Sequence, residues 1–268
     1  MREFYRIFIQ SGGNGRHFYK QHRCGPSGNT FSGFNAWKAA FASEAKRAGV
    51  GQRGIQALAS SRYVLKTIAA DRNQKSFKYS LDKFMKVRGA PTIVSQGRKR
   101  KAKNASFFEA LERQYGVPAG VIIAIHGMET EFGRFMGDSR IVSAITTLAY
   151  DCRRSAFFVP HAIGALKLVD KGAIDSSTKG AKHGELGHTQ FLPGNALKYG
   201  IDANRDGRVN FYTEADALAS TANFLRQKGW KPGASFQEGQ TSFKVIKQWN
   251  AAGVYQKEIA IMGAKIDG

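Results

Sequence analysis

The sequence predicts a mainly α-helical fold, on three observations. Apolar residues recur at three- and four-residue steps over most of the chain, alternating strand patterns are scarce, and Gly, Asn and Asp crowd into one stretch, 172–213. With 268 residues, 42% of them hydrophobic and 12% aromatic, the chain can bury a large core as one big domain or two intimate ones. No internal repeat or long linker divides it.

Residues 1–30 are rich in Gly, Ser, His and basic side chains and read as a poorly ordered leader or an upstream extension. The start, Met1 to Ile9, has charges inside it and only a short apolar run before Gln10, so it does not read as a signal peptide. Helical periodicity begins with Phe34, Trp37, Phe41 and Ala45, and Gly49 supplies a stop. A second helix is expected from Arg53 to Ser60. A third, Ser76 to Val87, carries Phe77, Leu81, Phe84 and Met85 and ends at Gly89-Ala-Pro91. Further helices are expected at 92–115, 118–132, 141–149, 155–170, 192–199, 214–228 and 241–251. The aromatics at these spacings are most simply core residues.

The net charge of +21, from 41 Lys plus Arg against 20 Asp plus Glu, implies a polyanionic partner or surface. Nucleic acid, an anionic membrane and the acidic bacterial wall all satisfy it. The dense run Arg98 to Lys103 comes without zinc-finger spacing or an RNP-type aromatic motif, so nucleic acid is not expected. No apolar run approaches the roughly 18 residues that span a bilayer. The two cysteines, Cys24 and Cys152, are two separate thiols or one long-range disulfide, and their spacing does not decide.

One carboxylate stands out. Glu129 lies in the segment 117–133 on the same helical stripe as Ile122, Ile125 and Phe132. A carboxylate there is either paired or kept protonated by desolvation, and the second state is what a general acid near neutral pH requires. The plainer reading is a glutamate at the edge of the stripe, bonded to His126 or to solvent. Glu131, two residues on, points about 200° away and is expected to face solvent.

A second segment, Ile201 to Phe211, fits the opening of an EF-hand-like calcium loop. Asp202, Asn204 and Asp206 take positions 1, 3 and 5, Gly207 permits the turn, and Arg208 offers its carbonyl oxygen. Position 12 is Thr213 rather than the bidentate Glu, so Asp216 or Glu214 would have to close the shell. The alternative is an Asp/Asn/Gly-rich turn that binds no metal.

Taken together, four segments resemble the membrane-bound lytic transglycosylase B family, soluble or lipid-anchored enzymes that cleave bacterial peptidoglycan. Gly127-Met-Glu-Thr-Glu-Phe-Gly133 is similar to the family's G-x-E-[ST]-x-F-G, and Gly184-Glu-Leu-Gly-His-Thr-Gln-Phe-Leu-Pro193 to its G-x-x-G-x-x-Q-F-[ML]-P. The other two are Thr147 to Phe158, and the calcium-loop stretch running into Asp216 to Trp230. The similarity runs from about Phe34 to the C-terminus in unbroken order, and Trp249 to Tyr255 resembles the end of the shorter members.

The resemblance implies a lysozyme-like, mostly helical (α+β) fold over 31–268, with the calcium loop, 202–216, inserted in it. Glu129 would be the single catalytic acid and base, with a 1,6-anhydromuramoyl product. Gln190, with His188, His126, Asn223 and Phe224, would contact the glycan strand. Asp216 matches the family's last calcium ligand, completing a set with Asp202, Asn204, Asp206 and Arg208 for a structural Ca²⁺. No organic cofactor is implied. A periplasmic location and a monomer are expected, and a disulfide between Cys24 and Cys152 would suit that compartment.

The chain departs from the family pattern at four places in this region. His126 stands where many members have Trp, His188 occupies a variable place, Ala181 replaces a serine near the substrate's N-acetyl group, and Phe224 replaces a common tyrosine. These changes motivate a rival expectation, a peptidoglycan-binding protein impaired in catalysis.

Overall fold

The computed structural model describes residues 31–73 and 79–268. The expected leader and Cys24 lie outside the described residues. Cys152, the other cysteine of the sequence, is disulfide-bonded.

The described residues are mostly helical, with α1 (Phe31–Arg47), α2 (Gln52–Ser60), α3 (Leu65–Arg72), α4 (Leu81–Arg88), α5 (Ala90–Lys103) and α6 (Ala105–Tyr115) in the first half. The centre is α7 (Ala119–Thr130), followed by α8 (Ile141–Tyr150) and α9 (Ser155–Asp170). The rest comprises α10 (Pro193–Tyr199), α11 (Glu214–Gln227), α12 (Phe243–Trp249) and α13 (Gly253–Asp267). The one described sheet is an antiparallel pair, β1 (Ser139–Arg140) with β2 (Lys179–Gly180), in the register Ser139 opposite Gly180.

Every residue of α7 is buried, so this helix has no polar face and must be enclosed on all sides. α13, α5, α11 and α6 enclose it, while α8 and α9 form a second packed pair with α2 and α10. α7 and α13 come together at glycines: a Cβ on Gly120 would stand 2.2 Å from the Gly263 carbonyl oxygen. The Gly120 amide donates to Asp267 Oδ1 at 2.9 Å, which ties the start of α7 to the end of α13.

Three expectations are corrected. The single helix expected over 92–115 is two, α5 and α6, broken at Asn104, whose φ of −121° and ψ of 37° are not helical. α5 buries little beyond Ala90, Ile93 and Gly97, whereas α6 turns to bury Phe108, Leu111 and Tyr115. Of the helix expected over Ser76 to Val87, residues 76–78 lie outside the described residues; Tyr79 and Ser80 are not helical, and α4 begins at Leu81, where Ser80 caps it by accepting from the Lys83 amide at 3.4 Å. Two helices were not expected, α3 and α13. α3 buries Thr67 and Asp71 beside Ile68 and Ala70, a polar face that apolar periodicity does not detect.

That buried polar face has a purpose. Asp71 on α3 pairs with Arg153 and Arg154 at the head of α9, and Arg72 holds Asp151 at 3.1 Å. The segment that links α8 to α9 is thus fastened by charge to a helix more than 75 residues earlier.

Candidate active site

Glu129 sits in the last turn of α7 and is 5% exposed. Two donors converge on its Oε1, Trp249 Nε1 at 2.9 Å and Tyr255 OH at 2.9 Å. Trp249 ends α12 and Tyr255 lies in the first turns of α13, so three helices meet on one carboxylate. Neither partner was foreseen in the sequence. The plainer reading, a bond to His126 or to solvent, is replaced by these two aromatic donors.

The helix stops one residue after the acid. Glu131 is in the left-handed region with φ of 49°, as is Phe132 with φ of 62°. This turn takes Glu131 off the helix axis and leaves it partly buried beside a cavity of about 100 Å³, with Phe132, Arg134 and Arg88 on its wall. Helical phase alone leads one to expect it to face solvent.

Gln190 takes φ of 55° in the loop before α10, and its side-chain amide donates to the carbonyl oxygens of Gly187 at 2.7 Å and Met136 at 3.3 Å. The loop is narrow at Gly187, where a Cβ would stand 2.1 Å from the Phe211 carbonyl oxygen. Phe191, the next residue, packs edge-on against the Trp249 ring at 5.0 Å. The glutamine segment therefore reaches the acid through the same tryptophan that donates to it.

His126 and His188 form a second link. His126 Nε2 and His188 Nδ1 are 3.0 Å apart, and the Thr130 hydroxyl donates to the His188 carbonyl oxygen at 2.6 Å. His188 Nε2 lies 3.2 Å from the Tyr212 carbonyl oxygen. Burial, then the neighbouring His188 and Arg100, holds His126 well below the usual imidazole range. Burial also lowers His188, partly opposed by Glu214. Two neutral imidazoles, one donating and one accepting, suit a bond at that distance. His126 is 1% exposed, so it braces α7 against the glutamine loop.

Phe224 is buried against Trp249, Phe191 and Tyr199 and supports the tryptophan from below. The Asn223 side-chain amide donates to the Tyr199 carbonyl oxygen at 2.9 Å. Ala181 lies just after β2, its amide donating to the Glu185 carbonyl oxygen at 2.9 Å.

The calcium-loop residues are brought together, but by one another. Asp202 accepts from the Asp206 and Gly207 amides, Asn204 from the Asp206 amide, and Asp206 from the Arg208 amide, each within 3.2 Å. Asp216, fully buried, accepts from Ala203 and Asn204 on Oδ1 and from Asn210 on Oδ2. Among the described residues no three of His, Cys, Asp or Glu converge as a metal-ligand group. The donors are hard oxygens, the type that suits calcium. Asp216 fits less well than Asp202, because three amides claim its two oxygens.

The matches to known proteins follow this geometry. The model of the transglycosylase SLT domain matches residues 33–242. The chain belongs to the transglycosylase SLT domain family. Over 121 residues it is 35% identical to the membrane-bound lytic murein transglycosylase B of Escherichia coli strain K12, a match covering 44% of this chain and 34% of that protein. The matched part thus spans about a third of that relative's length.

Among solved structures, SltB3 from Pseudomonas aeruginosa in complex with NAG-anhNAM-pentapeptide superposes with a TM-score of 0.77. It is 24% identical, over 88% of this chain and 80% of that one. The Escherichia coli lytic transglycosylase SLT35 in complex with calcium gives a TM-score of 0.75 at 21% identity, over 87% and 93% of the two chains. The transglycosylase fold expected from the sequence is therefore the fold of this chain.

Proposed function

We propose that this family member is a lytic transglycosylase that cuts the β-1,4 bond between N-acetylmuramic acid and N-acetylglucosamine in peptidoglycan. The observation that carries the reading is the buried Glu129 carboxyl, with one oxygen gripped by Trp249 and Tyr255. A carboxyl fixed at one oxygen presents the other in a defined direction, which proton delivery requires.

In this reading Glu129 gives its proton to the glycosidic oxygen as the bond to the muramoyl anomeric carbon breaks. The departing sugar leaves as an alcohol. The Glu129 carboxylate then takes the proton of the muramoyl C6 hydroxyl, whose oxygen closes on the anomeric carbon to form the 1,6-anhydro ring. Glu129 ends protonated again, and no protein nucleophile is needed, unlike in hydrolases with paired acids. Gln190 supports a glycan-facing role by its motif, and His188 and His126 act as the brace that holds its loop.

The relatives support the substrate. One is named a murein transglycosylase, and a solved neighbour holds an anhydromuramoyl peptide. The charge of +21 suits an anionic wall. No helix among the described residues is long and apolar enough to cross a membrane. A periplasmic site of action follows from the substrate.

Digestion of purified peptidoglycan, read by mass spectrometry, tests the activity: 1,6-anhydromuramoyl products are expected. Binding to intact sacculi without turnover would instead favour the catalytically impaired binding protein.

We also assign a structural calcium to the loop of Asp202, Asn204, Asp206, the Arg208 carbonyl and Asp216, supported by ligand type and by the calcium in the solved Escherichia coli neighbour. Bound there, the ion would tie the loop to α11 and take no part in proton transfer. Titration with Ca²⁺ is expected to raise the melting temperature, and Asp202→Ala to remove that rise. A melting curve indifferent to calcium would contradict the assignment.

A further inference from the structure

A groove of about 940 Å³ opens where α4, α5 and the end of α13 meet. Ligand sites commonly occupy about 300–1,000 Å³, so this one is large enough for a bound molecule. Its α5 residues run from Pro91 to Lys99 at three- and four-residue steps, a face beside the Ile93 and Gly97 that the helix buries. Met85 on α4 and Val94 on α5, both half-buried against the core, give it an apolar floor with Pro91.

The rim is basic. Lys86 on α4, Arg98 and Lys99 on α5 and Lys265 on α13 all line it, and all four are exposed. Among the described residues none of the four is in an ion pair, whereas Arg100 and Lys101, the next two residues of α5, are held by Glu214 and Asp267. Arg98 Nε donates to the Lys265 carbonyl oxygen at 2.7 Å, which ties the two sides of the rim together. Its two Nη groups remain for a carboxylate to meet. The one carboxylate in the lining, Asp82, sits in the first turn of α4, where the positive end of the helix offsets it. Four cations against one acid, over an apolar floor, complement an anionic ligand with small apolar side chains.

The groove also adjoins the active site. It shares Gly89 and Thr92 with the small cavity lined by Glu131 and Phe132, so the turn from α4 into α5 borders both. Those two residues follow directly on the helix that carries Glu129.

We propose that this groove is a second site for peptidoglycan, one that takes its short anionic peptide stems. Stem carboxylates pair with Lys86, Arg98, Lys99 and Lys265, and small side chains lie on Met85, Pro91 and Val94. Pro91 to Lys99 spans roughly 12 Å of helix, a length that about four extended peptide residues cover. No bond is made or broken there; the groove holds the substrate while Glu129 acts on the glycan. The inference rests on reading peptidoglycan as the substrate.

The test titrates the full chain with a pentapeptide stem freed of its sugars, followed by amide NMR at low salt. Shifts are expected at the Lys86, Val94, Ser95 and Lys99 amides, and peptide-free glycan strands should not reverse them. Affinity should fall about 10-fold when Lys86→Glu and Lys99→Glu are combined, and should weaken as salt is added. Both lysines are exposed and outside any ion pair, so the fold is not at stake. The same double variant should raise KM on intact sacculi and leave turnover of peptide-free glycan strands unchanged.

Unchanged peptide affinity in the double variant would overturn the proposal, as would shifts confined to the surroundings of Glu129. Shifts on α4 and α5 with phosphatidylglycerol vesicles and none with the peptide would also overturn it, and would mark the face as a membrane surface. Peptide binding needs no turnover. A wild type that binds the stem here but releases no anhydro products would refute the proposed reaction alone. One that releases them, with the same KM on sacculi in the double variant, would refute the groove alone.

Discussion

Tyr255 and Trp249 each contribute one bond to a single oxygen of Glu129, and a hydrogen bond to an ionisable group contributes about 1.5–3 kcal/mol. Tyr255→Phe removes one donor and little volume. Its kcat is expected to fall about 10- to 100-fold with the melting temperature nearly unchanged, measured by turnover of soluble muropeptide strands. A rate equal to wild type would mean that the grip on Oε1 has no role in the chemistry.

At this scale the sequence was legible where motif and spacing agreed. Glu129 was identified because a carboxylate stands in an apolar run, and it is buried. Glu131 differs from Glu129 for another reason than helical phase. The whole of α7 is buried, so no stripe exists, and Glu131 leaves the helix because the chain turns left-handed there. Trp249 and Tyr255 were not named as site residues. Their only sequence signal was tertiary, since no local pattern tells which distant donor reaches an acid.

Among the elements, α13 shows why the reading stopped short. Tyr255, Ile259, Met262 and Ile266 recur at helical steps and are all buried, so the helix was available to periodicity. Glu258 at an apolar position and the glycines at 253 and 263 obscure it. Gly263 matters in the fold, because there α7 and α13 touch backbone to backbone.

Gly120→Ala would set a methyl group 2.2 Å from the Gly263 carbonyl oxygen and 2.6 Å from Asp267 Oδ2. The helices must separate, and a loss of about 1–3 kcal/mol is expected in denaturant unfolding. Activity should fall with it, because α13 carries Tyr255 away from Glu129. An alanine variant as stable as wild type would contradict this close contact. The break between α5 and α6 escaped because no Gly or Pro stands beside Asn104, and only the change of buried face marks it.

For the molecule as a whole, the charge of +21 and the helical class were plain in composition and spacing, but the buried polar network was not. His183 is fully buried near Asp71 and Glu185, and burial lowers its imidazole to about 4, with Asp71 opposing. A folded-state value below the unfolded value of about 6.5 means His183 is neutral in the fold. Its contribution is present above pH 6.5 and is lost as pH falls through 4, up to about 3 kcal/mol for that interval. Melting temperature should therefore decline between pH 6.5 and 4, and His183→Gln should flatten the decline. An equal slope in that variant would place the acid sensitivity elsewhere.

The central claim is that one buried carboxyl performs both proton transfers on peptidoglycan. It is tested most directly by digesting purified sacculi with the wild type and with Glu129→Gln and weighing the released muropeptides. The account predicts 1,6-anhydromuramoyl products from the wild type, a loss of about 10²- to 10⁴-fold in the variant, and the same melting behaviour for both. Release of anhydro products by Glu129→Gln at the wild-type rate would contradict it.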